Sequence, residues 1–288
     1  ANAEKYLRIP YTTTASGTPI QDWDCLEALD INFLTSALRY VHEHGHLPPR
    51  LRSKEDLNDV SAGSGVEDAL VDELRGYVSE RVLSLDSPVG GGAVTLALLE
   101  GFLLFAPPAG EKNGDGEGEH GLRGVHEQID VRIFLPAPYD LVKGRREKRS
   151  GYVTIGPAPT VDFPQRSESD SGGRGGKEDL DLLAEDDRPP QNFWTDPPGY
   201  VDDIVWPRYV RDHAWLLLPE NEGPETESLS SIGDTGELIR RVGQGVNLRL
   251  DSGVTVAPGQ GALPMADLLK WAVEEVLKHL EQSTWVDS

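Results

Sequence analysis

The chain carries a single cysteine, Cys25, in 288 residues. No internal disulfide is available to it, as is usual for proteins of a reducing compartment. Long apolar runs are also missing: none approaches the ~18–20 residues of a membrane span. The opening "ANAEKYLRIP" has no basic segment leading into an apolar one, so it does not read as a secretory leader. A soluble cytoplasmic protein with no membrane partner is expected. Basic residues are scarce as well, 27 against 49 acids, for a formal charge of −22. Affinity for a phosphate backbone comes from Lys and Arg releasing counterions, so no nucleic-acid partner is expected. Hydrophobic residues reach only 38%, below the usual ~45–50% that also counts Gly.

What is abundant is glycine and proline, 31 and 21 residues. They concentrate in three polar stretches, 107–128, 156–192 and 219–237, which carry few aromatics and bury too little apolar surface to offset ordering entropy. The expectation is one domain over residues 1–288, interrupted by three disordered inserts, with no internal repeat.

Between the inserts the periodicity is of two kinds. "AVTLALLEGFLLF" (93–105), "IDVRIFLP" (129–136) and "GVNLRLDS" (245–252) are short β-rich runs of the kind that form buried parallel strands. Residues 25–43 form a helical pattern stopped by Gly45, and 264–281 place Met265, Leu268, Leu269, Ala272, Val273, Val276, Leu277 and Leu280 on one helix face. Strands alternating with helices predict an α/β fold with a parallel sheet.

Candidate chemistry sits at four places. Glu100, at the end of the first β-rich run, has a carboxylate able to hold Mg²⁺ through water or accept a proton; a solvent-facing acid is the alternative. Arg145, Arg146 and Arg149, with Lys143 and Lys148, form the densest basic cluster of an acidic chain, and guanidinium forks suit phosphate oxygens. Four residues apart, Arg145 and Arg149 would share a helix face. "FWTDPPGYVDDIVWPRYV" (193–210) presents Tyr200 after a Pro-Pro-Gly turn, a flat ring for a flat and preferably cationic base. Trp206 and Tyr209 read as core on the following helix, with Pro207 bending it. In "PIQDWDCLEALD" (19–30), Trp23 stands between Asp22 and Asp24, acids suited to vicinal ribose hydroxyls. Asp24 with Glu27 could equally be a capping box.

Taken in order, "DWDCLEALD", "LLEGFLLF", "DVRIFLPAPYDLVKGRREKR" and "DPPGYVDDIVWPRYV" resemble the nicotinamide riboside kinases, especially the fungal ones, within the uridine kinase and phosphoribulokinase group of P-loop kinases. The resemblance spans residues 22 to 210. It implies a P-loop kinase-like, five-stranded parallel sheet with flanking helices and ATP- and Mg²⁺-dependent phosphorylation of a nucleoside 5′-hydroxyl. The partner it implies is a small-molecule nucleoside, nicotinamide riboside, in NAD biosynthesis. By the same resemblance Trp23 and Tyr200 sandwich the nicotinamide and Asp24 meets the ribose hydroxyls. Glu100 lies near the metal, and Arg145, Arg146 and Arg149 close on the phosphates.

The chain departs from that pattern at its start. Such kinases open with a strand and G-x-x-x-x-G-K-[ST], and here no lysine is followed by Ser or Thr. "SGGRGGKED" (171–179) has Ser171 and Glu178 at the positions that the motif reserves for Gly and Ser/Thr. The family's acid pair would fall near "AEKY" (3–6), at Ala3 and Glu4. The expectation is a kinase chain without its first strand and phosphate cradle, not competent as written and with unpaired sheet edges that invite a borrowed strand. A truncated product is expected before an evolved pseudokinase. The alternatives are a non-catalytic nucleoside-binding module, a uridine or cytidine kinase-like acceptor site, and a scaffold whose acidic inserts recruit basic partners.

Overall fold

The computed structural model describes residues 9–49, 51, 63–84, 95–109, 119–149, 152–155, 191–221 and 229–283. Two short strands, β1 (Tyr11–Thr13) and β2 (Pro19–Gln21), form an antiparallel hairpin that leads directly into the Asp22–Cys25 segment. Helix α1 (Ile31–His44) follows. Its start is set by Asp30, whose carboxylate accepts the Phe33 N–H, and its end by Gly45, which takes the left-handed φ of 71° at which a Cβ is costly. This is the stop that the sequence predicts.

Helix α2 (Asp68–Ser84) and the final helix α7 (Met265–Ser283) pair with each other. Tyr77 donates to Glu274 and Arg81 to Glu281 across them, and Leu277 of the apolar stripe is buried. The stripe is therefore packing, although Met265 at its start stays exposed. No helix among the described residues is long and apolar enough to cross a membrane.

The parallel sheet is smaller than the periodicity suggests. Strand β3 (Ile133–Phe134) pairs in parallel with β6 (Thr255–Val256), inside and just beyond two of the β-rich regions. Residues 95–100, expected as a buried strand ending at Glu100, have no ladder partner among the described residues. Their side chains face outward, Leu98 at 88% exposure. Apolarity alone does not make a strand, because the backbone N–H and C=O groups need neighbours on the sheet. The 245–252 run likewise supplies one antiparallel bridge, Leu217 to Leu248, and not a strand. The fold is mixed α/β with one small parallel pair and two antiparallel pairs among the described residues.

Two of the expected inserts are partly core. Helix α3 (Arg123–His126) lies within 107–128 and buries Leu122, Val125 and His126. Leu229 is 1% exposed, and Asp234 caps α6 (Thr235–Val242) by accepting the Glu237 N–H, both within 219–237. A few apolar residues in a polar stretch suffice when a neighbouring element buries them; each full burial contributes roughly 1.5–3 kcal/mol. The third stretch is almost wholly outside the described residues, but its flanks pair: β4 (Tyr152–Ile155) runs antiparallel to β5 (Gln191–Trp194).

The main core gathers around α5 (Trp206–Asp212) and α6, with Trp206, Val210, Trp215, Leu216, Leu217, Leu238 and Val242 all buried. Pro207 lies in the first turn of α5. Because Pro207 has no N–H to give, the turn before it is a wide one over Val201–Val205, closed by the Trp206 N–H to the Val201 carbonyl.

Candidate functional site

Helix α4 (Tyr139–Glu147) carries the basic cluster, and its orientation is fixed by one acid. Lys143 places Nζ 2.7 and 2.8 Å from the two carboxylate oxygens of Asp202 in the wide turn, and Tyr139 donates its hydroxyl to the same carboxylate. These contacts hold Asp202 below the ordinary carboxylate pKa. With Lys143 anchored, Arg146, almost one helical turn further on, faces the segment that contains Trp23 and Asp24.

There Arg146 uses both sides of its fork. Its Nη1 donates to Asp24 Oδ1 at 2.9 Å, while Nε and Nη2 donate to the two oxygens of Asp196 at 2.9 and 3.2 Å. The guanidinium carbon lies 5.7 Å over the centre of the Tyr200 ring, a cation–π placement. Both acids are nearly buried, Asp24 with 11% and Asp196 with 10% of the side chain exposed. Burial pushes the Asp24 carboxyl above its ordinary pKa, and the Arg146 guanidinium opposes that shift.

Tyr200 closes the group from below. Pro198 and Gly199 occupy the middle of a tight turn, with Gly199 at φ 81°, and the Tyr200 N–H returns to the Pro197 carbonyl at 3.0 Å. The turn is the expected one, but it sends Tyr200 inward, to 1% exposure. Its phenolic oxygen accepts the Trp23 backbone N–H at 3.0 Å. Burial and the neighbouring Asp24 carboxylate push the phenol well above its ordinary pKa, so it stays protonated. The ring is thus a floor beneath Arg146, not the open platform that the motif suggests, while Trp23 is half-buried against the same cluster of Tyr200, Val201, Ile204 and Val205.

Asp22 is spent on the scaffold. Its fully buried carboxylate accepts Arg208 Nε at 2.8 Å and the Thr12 hydroxyl at 2.9 Å. One of its oxygens also accepts the Asp24 N–H, which turns the chain so that Asp24 points to Arg146. The capping-box alternative for Asp24 is not realised: the short 3-10 turn Leu26–Ala28 begins at Cys25 with no side-chain cap.

A cavity of 160 Å³ opens beside this cluster, lined by Arg146, Arg149, Thr195, Asp196, Pro198 and Tyr200 among others. Of the expected site residues, Arg146 and Tyr200 line the cavity, and Asp24 and Trp23 are bonded behind them, to Arg146 and Tyr200 respectively. Arg149 reaches the rim from beyond the end of α4, so it does not share a helix face with Arg145, which is exposed. Glu100 is exposed, and no hydrogen bond or ion pair among the described residues joins it to the cluster. Sequence reasoning missed Asp196 and Arg208. The first lies inside the "DPPGY" motif, beside the aromatic residues, and the second inside a helix read as core.

Three proteins of one name are similar to this chain in sequence. A Schizosaccharomyces pombe protein named nicotinamide riboside kinase is 25% identical over 263 residues, covering 91% of this chain and 77% of its own. Its Saccharomyces cerevisiae namesake is 22% identical over 259 residues, covering 90% and 75%. A third, from Eremothecium gossypii, is 24% identical over 198 residues, 69% of this chain and 57% of its own. The chain is a distant homologue of these three proteins. No protein-family model and no solved structure matches it.

Proposed function

We propose that the cluster of Trp23, Asp24, Arg146 and Tyr200 is the acceptor site for nicotinamide riboside, in a chain descended from kinases that phosphorylate its 5′-hydroxyl. The names of the three homologues support the reaction. One structural observation supports the substrate: two nearly buried carboxylates, Asp24 and Asp196, share the single guanidinium of Arg146. Asp24 and Asp196 together carry one negative charge more than Arg146 neutralises, and a cluster of that sign suits a cationic base better than neutral uridine or cytidine.

In this reading Asp24 accepts a ribose hydroxyl with the carboxylate capacity that Arg146 leaves open. Trp23 bounds the base on one side, and Tyr200 supports it from beneath. Arg149 at the rim and Arg145 on the outer face of α4 are the cations available to a phosphate, and exposed Glu100 is given no role. The cavity is smaller than the ~300–1,000 Å³ of typical ligand pockets, so it would enclose only part of a nucleoside.

The described residues fit the acceptor and not Mg²⁺ with its nucleotide. Among them no three His, Cys, Asp or Glu side chains group as a metal site, and the 288 residues contain no G-x-x-x-x-G-K-[ST] to cradle phosphates. That observation favours a second reading for these residues by themselves: a nucleoside-binding module that transfers nothing.

Calorimetric titration of the 288-residue chain with nicotinamide riboside, uridine and cytidine, alongside an ATP-dependent phosphorylation assay, tests both readings. The expected result is binding of nicotinamide riboside alone without turnover. Equal binding of uridine would defeat the assignment of the base, and turnover would defeat the second reading.

A further inference from the structure

The geometry points to Asp196 as a positioning residue: its carboxylate locks the Arg146 guanidinium over Tyr200 so that Nη1 is directed at Asp24. Resting on the nucleoside-site reading above, this makes Asp196 part of the recognition of the nucleoside through the placement of Arg146. The two bonds from Nε and Nη2 to Asp196, at 2.9 and 3.2 Å, fix the guanidinium plane, and a third runs from Nη1 to Asp24 at 2.9 Å. A long arginine side chain has roughly 2 kcal/mol of rotamer entropy to lose in adopting one geometry. Asp196 precedes Pro197 and Pro198, whose rings fix φ and restrict the backbone on which its carboxylate is carried.

Docking of α4 does not require this pair. Lys143 and Tyr139 already hold the helix to Asp202. A second ion pair, nearly buried, gains little net stability against the cost of desolvating it. Its place on the cavity wall, with both Arg146 and Asp196 lining the same space, indicates a role in the site. Asp24 cannot hold the guanidinium alone in the same way, because a single N–H bond leaves the plane free to rotate about it.

The experiment is a double-variant cycle on the full chain, with nicotinamide riboside affinity read by calorimetry and thermal melting recorded for each variant. Asp196→Asn should raise the Kd about tenfold, the worth of a charged hydrogen bond. In an Arg146→Ala background the same change should have no further effect. Asp196→Glu, which keeps the charge with longer reach, should recover part of the affinity, and it serves as the test if Asp196→Asn does not fold. Unchanged affinity in Asp196→Asn, or effects that multiply in the double variant, would overturn the proposal. A second readout needs no ligand: the Arg146 Nε–H proton should exchange slowly in the wild type and quickly in Asp196→Asn. If the wild type binds no nucleoside, the functional reading fails, and the exchange rates still decide whether Asp196 holds Arg146; equal rates in the two proteins would overturn the positioning claim.

Discussion

Trp23 donates its backbone N–H to the phenolic oxygen of Tyr200, 177 residues away in the chain and 3.0 Å away in space. The bond joins the segment after the first hairpin to the turn before α5, and Arg146 covers the ring between them. Tyr200→Phe keeps the ring and removes the oxygen, leaving the Trp23 N–H without its acceptor. A stability loss of roughly 1–3 kcal/mol is expected. Urea denaturation checks it, with weaker binding of nicotinamide riboside expected in parallel; an unchanged midpoint would mean that water replaces the phenol at no cost.

Arg208 and Asp22 form the buried pair beneath the site. Arg208→Met leaves a fully buried carboxylate supported only by neutral donors, at an expected cost of about 3–5 kcal/mol. Adding Asp22→Asn to that variant should restore much of the loss, since the uncompensated charge goes with it. Denaturant midpoints of the single and double variants decide the matter, and a double variant no more stable than Arg208→Met would show that charge is not the cause.

His126 and His213 are both buried and held neutral, each pushed down to about 4 chiefly by burial. His126 Nδ1 accepts the Ala106 N–H at 3.1 Å, so protonating that nitrogen would set two donors face to face. His213 instead donates from Nδ1 to the Tyr209 carbonyl at 2.9 Å. The folded pKa lies below the unfolded one, so the unfolded chain binds more protons between the two values. Their contribution to stability is complete above the ordinary histidine pKa of about 6.5 and is lost as pH falls toward about 4. Stability should drop by roughly 1–3 kcal/mol per histidine across that window. In His213→Phe the slope of urea midpoint against pH should be shallower; an unaltered slope would remove His213 from the account.

Cys25 is fully buried, its thiol bonded to the Asp22 carbonyl and pushed up to about 11 by burial. A thiol so protonated and enclosed is a poor nucleophile. Iodoacetamide at pH 8 should leave the folded chain unmodified and alkylate Cys25 in urea. Rapid labelling without denaturant would show that the segment around Trp23 and Asp24 opens readily.

Several elements could be anticipated from local chemistry. Gly45 stops α1, Pro198 and Gly199 make the tight turn, and Leu277 on the apolar face of α7 is buried, with most of that face half-buried. Each depends on φ preferences or a periodicity contained within a few residues. The expectation for 95–100 fails for the opposite reason: a strand exists only where other backbone groups lie alongside it, and Leu98 faces outward with no ladder beside it.

The sequence by itself determined the types of groups at the site: an aromatic between two acids, an arginine cluster, and a tyrosine after a glycine turn. It also determined which proteins the chain resembles. Only the tertiary structure decided how those groups are spent. Asp22 and Asp24, two residues apart, face Arg208 and Arg146 respectively, so one acid is committed to the scaffold and the other is joined to an arginine of the cavity wall. Tyr200 points into the protein and not out of it, and Asp196 becomes the partner of an arginine 50 residues before it. Charge pairing and burial act through space, and over such separations the order of residues carries no record of which carboxylate meets which guanidinium.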